Sequence, residues 1–139
     1  MTYDTNNIFA RILRGELPCH KVYEDEHTLA FMDVMPQAEG HTLVIPKAAG
    51  VGLLDTPTDA LQAVIATTQK VARAVKTALD APGVMIVQLN GASAGQTVFH
   101  LHFHIIPRSE GLQLKFHARD MEKPAVLAAM AAKIRGAME

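Results

Sequence analysis

Nine consecutive residues constrain this chain more than any others: His100-Leu101-His102-Phe103-His104-Ile105-Ile106-Pro107-Arg108. Histidine and apolar residues alternate strictly through the first six positions, which is the period of a β-strand. Successive side chains on a strand point to opposite faces. Phe99, Leu101, Phe103 and Ile105 therefore share a core face, and His100, His102 and His104 share the other. The three imidazoles follow one another at roughly 7 Å along the strand. No folding requirement asks for that. Serine, threonine or lysine would solvate a strand face as well, without three rings that each exchange a proton near neutral pH. The pattern points to a metal site, a catalytic site, or both.

The rest of the composition narrows the setting. A chain of 139 residues, 49% apolar and 19% charged with a formal net charge of −1, is expected to be one soluble domain over 1–139. Its core is expected over about 5–108, with a C-terminal extension carrying a helix over about 109–139. Near-neutral charge argues against a nucleic-acid partner held by bulk positive charge. Cys19 is the sole cysteine, so no intrachain disulfide and no site needing two cysteine ligands is available. No apolar run reaches the length of a membrane span, and Met1-Thr2-Tyr3-Asp4 lacks the basic and apolar regions of a signal peptide. No membrane partner and a cytoplasmic location are the expectation.

Taken in order, Thr5 to Arg14 reads as a short helix capped by Asn6 or Asn7 and ended by Gly15, with Ile8, Phe9, Ile12 and Leu13 on its buried face. Strands are expected at Lys21–Glu24, Thr28–Asp33 and His41–Pro46, separated by an acidic turn and by the loop Val34–Gly40. Lys47 to Leu54 reads as a connection with some helical character. Thr56 can cap a long amphipathic helix, with Pro57 at its first position. Leu61, Val64, Ile65, Thr68, Val71, Ala72, Val75, Ala78 and Leu79 recur along it at threes and fours, and Ala81-Pro82-Gly83 stops it. Val84–Leu89 is a fourth strand, and the small-residue loop Asn90–Thr97 suits close approach to an anion. A polar connection with Lys115, His117 and Arg119 leads to a last helix over about Pro124–Ala137, with Val126, Leu127, Met130 and Ile134 on one face. The expected class is α+β, an antiparallel sheet of five strands with the long helix packed on it.

At the histidine strand the sequence resembles the histidine triad (HIT) family of nucleotide hydrolases and transferases. The family signature, His-φ-His-φ-His-φ-φ with φ apolar, is matched in full by His100 to Ile106. Asn90 to Val98, ending Gly95-Gln96-Thr97-Val98, resembles the family's phosphate loop. Asp33, Pro36, His41, Leu43-Val44-Ile45-Pro46 and Lys47 resemble its ribose-binding segment, and Ile8-Phe9 with Ile12 resembles its base-pocket helix. The resemblance covers about Ile8 to Arg108. It implies a HIT-like fold and a homodimer joined through the helix at 57–80 and the strand at 84–89. One departure is visible. Many bacterial members carry two N-terminal cysteines that bind zinc with histidines, and Ile8-Phe9-Ala10-Arg11 has none, so no metal and no required cofactor are expected.

The middle ring, His102, has a neighbour on each side and is best placed to attack an α-phosphorus. A neutral imidazole is a competent nucleophile near pH 7 once its tautomer is right. In the family a backbone carbonyl of the same strand sets that tautomer. His100 and His104 suit the roles of stabilising equatorial oxygens or protonating the leaving group. The resemblance puts His41 in the site as a supporting histidine and has Asp33 accept the ribose hydroxyls. It places Asn90, Gly95, Gln96 and Thr97 at the phosphate, and Ile8, Phe9, Ile12, Phe31, Val34 and Leu43 around a purine. Hydrolysis of purine nucleoside phosphoramidates through a nucleotidyl-histidine is the leading expectation. Dinucleoside polyphosphate hydrolysis and nucleotidyl transfer share that intermediate. From a different class, a non-catalytic nucleotide- or metal-binding module remains open.

Overall fold

The computed structural model describes residues 2–111 and 120–138. The expected connection at Lys115, His117 and Arg119 lies outside them. The elements are α1 (Ile8–Leu13), β1 (Lys21–Glu24), β2 (Thr28–Met32), β3 (Thr42–Pro46), α2 (Thr58–Ala78), β4 (Gly83–Val87), a 3₁₀ turn (Ala92–Ala94), β5 (Phe103–Arg108) and α3 (Pro124–Gly136). The strands form one five-stranded sheet in the order β1-β2-β3-β5-β4, antiparallel at every pairing.

The sheet is covered on both sides, which explains why β2 and β3 are buried at all their residues. Ala30, Met32, Val44, Leu101, Phe103 and Ile105 face one way and pack with Val64, Val71 and Val75 of α2 and Leu127, Met130 and Ile134 of α3. Leu29, Phe31, Leu43 and Ile45 face the other way and pack with Phe9 of α1. The alternation expected around the histidines holds for Leu101, Phe103 and Ile105, all in the first cluster, but not for Phe99, which is only partly buried and lies outside it.

Several local expectations are corrected. The ladder of β5 begins at Phe103, so His100 to His102 lie ahead of it. That stretch is carried instead by Leu101 N–H on the Gly50 carbonyl (2.9 Å) and by side-chain bonds of His100. Thr56 does not cap α2, because its buried hydroxyl donates to the Gly52 carbonyl at 2.7 Å. Residues 47–54 form turns without helix. Ile65, Val126 and Ile8 are about half exposed and do not belong to the buried stripes predicted for them. Asn7 does cap α1, accepting from Ala10 N–H at 2.9 Å. Beyond the sheet, Glu122 N–H donates to the Val34 carbonyl at 2.8 Å, so the C-terminal extension crosses the loop that links Asp33 to His41.

Candidate active site

Four histidines and one carboxylate converge where the end of β2, the start of β3 and the stretch running into β5 meet. The register sets this up, because Leu43 lies opposite His104 across the β3–β5 ladder and opposite residues share a face. His41 precedes β3 by one residue and is fully buried. Its approach depends on Gly40, whose φ of +87° suits glycine and whose missing Cβ would stand 2.2 Å from Leu79 Cδ1.

The hydrogen bonds assign the tautomers. Gln37 N–H donates to His41 Nδ1 at 3.0 Å, so in the neutral ring the proton sits on Nε2. That Nε2–H donates to His104 Nδ1 at 2.9 Å and lies 3.4 Å from Asp33 Oδ2. His104 in turn keeps its own proton on Nε2. His102 Nδ1–H donates to the His100 carbonyl at 2.7 Å, which leaves the Nε2 lone pair of His102 uncommitted within this bond set. The rings lie close but not stacked, His102 to His104 edge-on at 4.9 Å and 62° and His104 to His41 tilted at 5.1 Å and 44° between centroids. Phe9 stands edge-on to His102 at 5.0 Å and 87°.

His100 is bonded through both ring nitrogens. Its Nε2–H donates to the Pro46 carbonyl at 2.8 Å, and its Nδ1 lies 2.6 Å from the Tyr3 hydroxyl. Both ring nitrogens are thus bonded inside the protein, and the ring braces the stretch ahead of β5. Tyr3 was missed in the sequence, where nothing in its spacing ties it to residue 100.

Burial sets the charges. It holds His41 down to about 3 from an ordinary 6.5, with further opposition from His104 and His102. Burial, then His102, holds His104 down to about 4. The same desolvation lowers His102 and His100, partly offset by the carbonyl each one meets. Asp33 is pushed up to about 6 by burial, against the pull of Met35 N–H. At neutral pH the site is thus four neutral imidazoles around an ionised carboxylate.

Asp33, His41 and His104 bring one ligand atom each to within 4.8 Å of one another, close enough to share a cation. The tautomers oppose it. For His41 to ligate through Nε2, its proton would have to move to Nδ1, where Gln37 N–H already points. The set is better suited to a hydrogen-bonded relay.

The remaining predicted residues divide between an apolar cluster and the loop that leads into the histidines. Phe9, Phe31 and Leu43 are buried in one cluster with Ile12 packed against it, while Ile8 and Val34 lie outside that cluster and are exposed. Gln96 is buried, with its oxygen accepting from Gly91 N–H and its amide donating to the Val51 and Val98 carbonyls (2.8, 2.6 and 3.0 Å). Asn90 Oδ1 accepts from Leu53 N–H at 2.8 Å, and its amide exchanges bonds with Gln88. Gly95 and Gln96 N–H are spent on the Ala92 and Gly91 carbonyls, whereas Thr97 is exposed. The side chains of Gln96 and Asn90 thus shape the loop that leads into the histidines.

A family model described as HIT domain matches residues 14–111. An uncharacterized 13.2 kDa HIT-like protein of Azospirillum brasilense is 51% identical over 106 residues, covering 75% of this chain and 87% of that protein. The crystal structure of a Hit-like protein involved in cell-cycle regulation from Bartonella henselae, with unknown ligand, superposes with a TM-score of 0.92 at 51% identity, covering 98% of this chain and 99% of that one. A protein of Arabidopsis thaliana named adenylylsulfatase HINT3 is 35% identical over 130 residues, covering 89% of this chain and 66% of that protein.

Proposed function

The chain belongs to the HIT-domain family, and on that premise we propose that it is a nucleotide hydrolase that cleaves purine nucleoside phosphoramidates at the α-phosphate. The observation that carries this reading is the His102 tautomer: Nδ1–H is anchored on the His100 carbonyl, so the Nε2 lone pair is free to attack. In the first step Nε2 bonds to the α-phosphorus and the P–N bond to the leaving amine breaks. The bound phosphate anion raises the pKa of His104 against the burial that lowers it; as His104 Nδ1 takes up a proton, the Nε2–H of His41 turns from it to Asp33 Oδ2, 3.4 Å away, and the imidazolium gives its Nε2 proton to the departing amine. In the second step water attacks the nucleotidyl-histidine, its proton goes to His104, and the P–N electron pair returns to His102. Asp33 accepts the ribose hydroxyls, and the apolar slot of Ile8, Phe9, Ile12, Phe31, Val34 and Leu43 takes the purine.

A second reading keeps the intermediate and changes the leaving group to sulfate, and the name of the Arabidopsis relative favours it. The proposal extends to assembly. An open groove between α2 and β4, lined by Ile65, Ala72, Val84 and Ile86 among others, leaves Ile65 and Ile86 exposed and suits a second copy. No helix among the described residues is long and apolar enough to cross a membrane.

The test is AMP release from adenosine 5′-monophosphoramidate with chelator present, wild type beside His102→Ala. Release by the wild type alone is the expected outcome. Release by both proteins, or by neither, defeats the reading.

A further inference from the structure

The stretch His100–His102 precedes the β5 ladder, so no strand pairing fixes the His100 carbonyl. Yet that carbonyl holds the His102 proton at 2.7 Å. The peptide that carries it is held on its Leu101 N–H side by the Gly50 carbonyl at 2.9 Å, and on its His100 side by the bonds of the ring. Nε2 of His100 lies 2.8 Å from the Pro46 carbonyl, which can only accept, so Nε2 carries the ring proton. Nδ1 is then an acceptor, and the Tyr3 hydroxyl donates to it at 2.6 Å. The two rings also meet edge-on, 5.7 Å apart at 62°. Burial favours the neutral ring that this arrangement needs. The arm that carries Tyr3 is itself anchored: Asn7 N–H donates to the Asp4 carbonyl at 3.1 Å, and Arg14 donates to the Thr5 carbonyl at 2.6 Å.

We propose that Tyr3 is a positioning residue for the nucleophile: its hydroxyl clamps the His100 ring between the N-terminal arm and Pro46, and so holds the main-chain carbonyl that fixes the His102 tautomer. Tyr3 acts only through His100. The role assigned to His102 rests on the proposed function, whereas the clamp is a matter of geometry.

The test is Tyr3→Phe, which removes the hydroxyl and keeps the ring. Nitrogen-15 spectra of the histidine rings are expected to show His100 Nδ1 moving to the shift of an unbonded imidazole nitrogen and His102 losing part of its Nδ1–H population. With adenosine 5′-monophosphoramidate, kcat is expected to fall about tenfold with KM unchanged, the lower end of what loss of a histidine's outer hydrogen-bond partner costs at metal sites. An unchanged His102 tautomer together with wild-type kcat would overturn the proposal. If the wild type turns over no phosphoramidate, the functional reading falls, and the His102 tautomer difference alone decides the role of Tyr3. If Tyr3→Phe fails to fold, the wild-type His100 Nδ1 shift decides: a hydrogen-bonded value supports the clamp and a free value refutes it.

Discussion

Asp33 shows how much a single residue's surroundings change its chemistry. An exposed aspartate would be ionised throughout the working range, but burial lifts this one to about 6. As pH falls through that value the carboxylate gains a proton and loses acceptor capacity. The Kd for AMP is therefore expected to rise between pH 7 and 5 in the wild type. Asp33→Asn should bind AMP about tenfold more weakly at pH 7, the worth of one hydrogen bond to a charged group, and should show a shallower pH dependence than the wild type across that range, the remainder coming from the AMP phosphate and the histidines beside it. Titration calorimetry at pH 5, 6 and 7 checks this, and an equally steep dependence in the variant would remove Asp33 from the account. The histidines themselves were legible in the sequence because period two is a strong pattern. Their tautomers were not, because these depend on carbonyls and amides such as Pro46, His100 and Gln37 that carry no sequence signal.

Between elements, the site is held by loop-to-loop bonds more than by ladders. Asn90 reaches across to Leu53 N–H, and Gln96 ties residues 91, 51 and 98 together. Gly52 makes this possible: a Cβ there would stand 2.5 Å from Asn90 Oδ1. Gly52→Ala is expected to cost about 1–3 kcal/mol of stability in urea unfolding and to lower kcat/KM with the phosphoramidate. A variant equal to wild type in both would show that the Asn90 anchor is dispensable. Strand and helix positions were readable from periodicity, and all five strands lie within two residues of their expected ends or closer, apart from the late start of β5. Thr56 shows the limit. Its capping signal was sound locally, but a tertiary acceptor, the Gly52 carbonyl, took the hydroxyl. The exposure of Ile65 shows another, since an intrachain core face and a face left open look alike in a helical repeat.

For the whole molecule, burying four imidazoles has a thermodynamic consequence. Below pH 6.5 the unfolded chain takes up protons on His41 and His104 that the folded chain refuses until about 3 and about 4. His100 and His102 are lowered too. Where the unfolded state binds more protons, stability rises with pH. Asp33 works the other way between 3.8 and about 6, since there the folded chain keeps a proton that the unfolded chain has lost. Four groups outweigh one, so the thermal midpoint is expected to climb from pH 4 to 6.5 and then level off. A flat or falling profile would mean the histidines are not buried neutral. The α2–β4 groove belongs to the same scale. Ile65→Arg is expected to shift the protein from dimer to monomer in sedimentation velocity, and a wild type that sediments as a monomer would remove that face from the assembly. The claim on which the account turns is a covalent bond to His102. The most direct measurement is intact mass of the protein quenched during turnover of adenosine 5′-monophosphoramidate. The account predicts an adenylyl adduct on the wild type, mapped to His102 and absent from His102→Ala. Turnover with no adduct at any quench time, or an adduct on another residue, would contradict it.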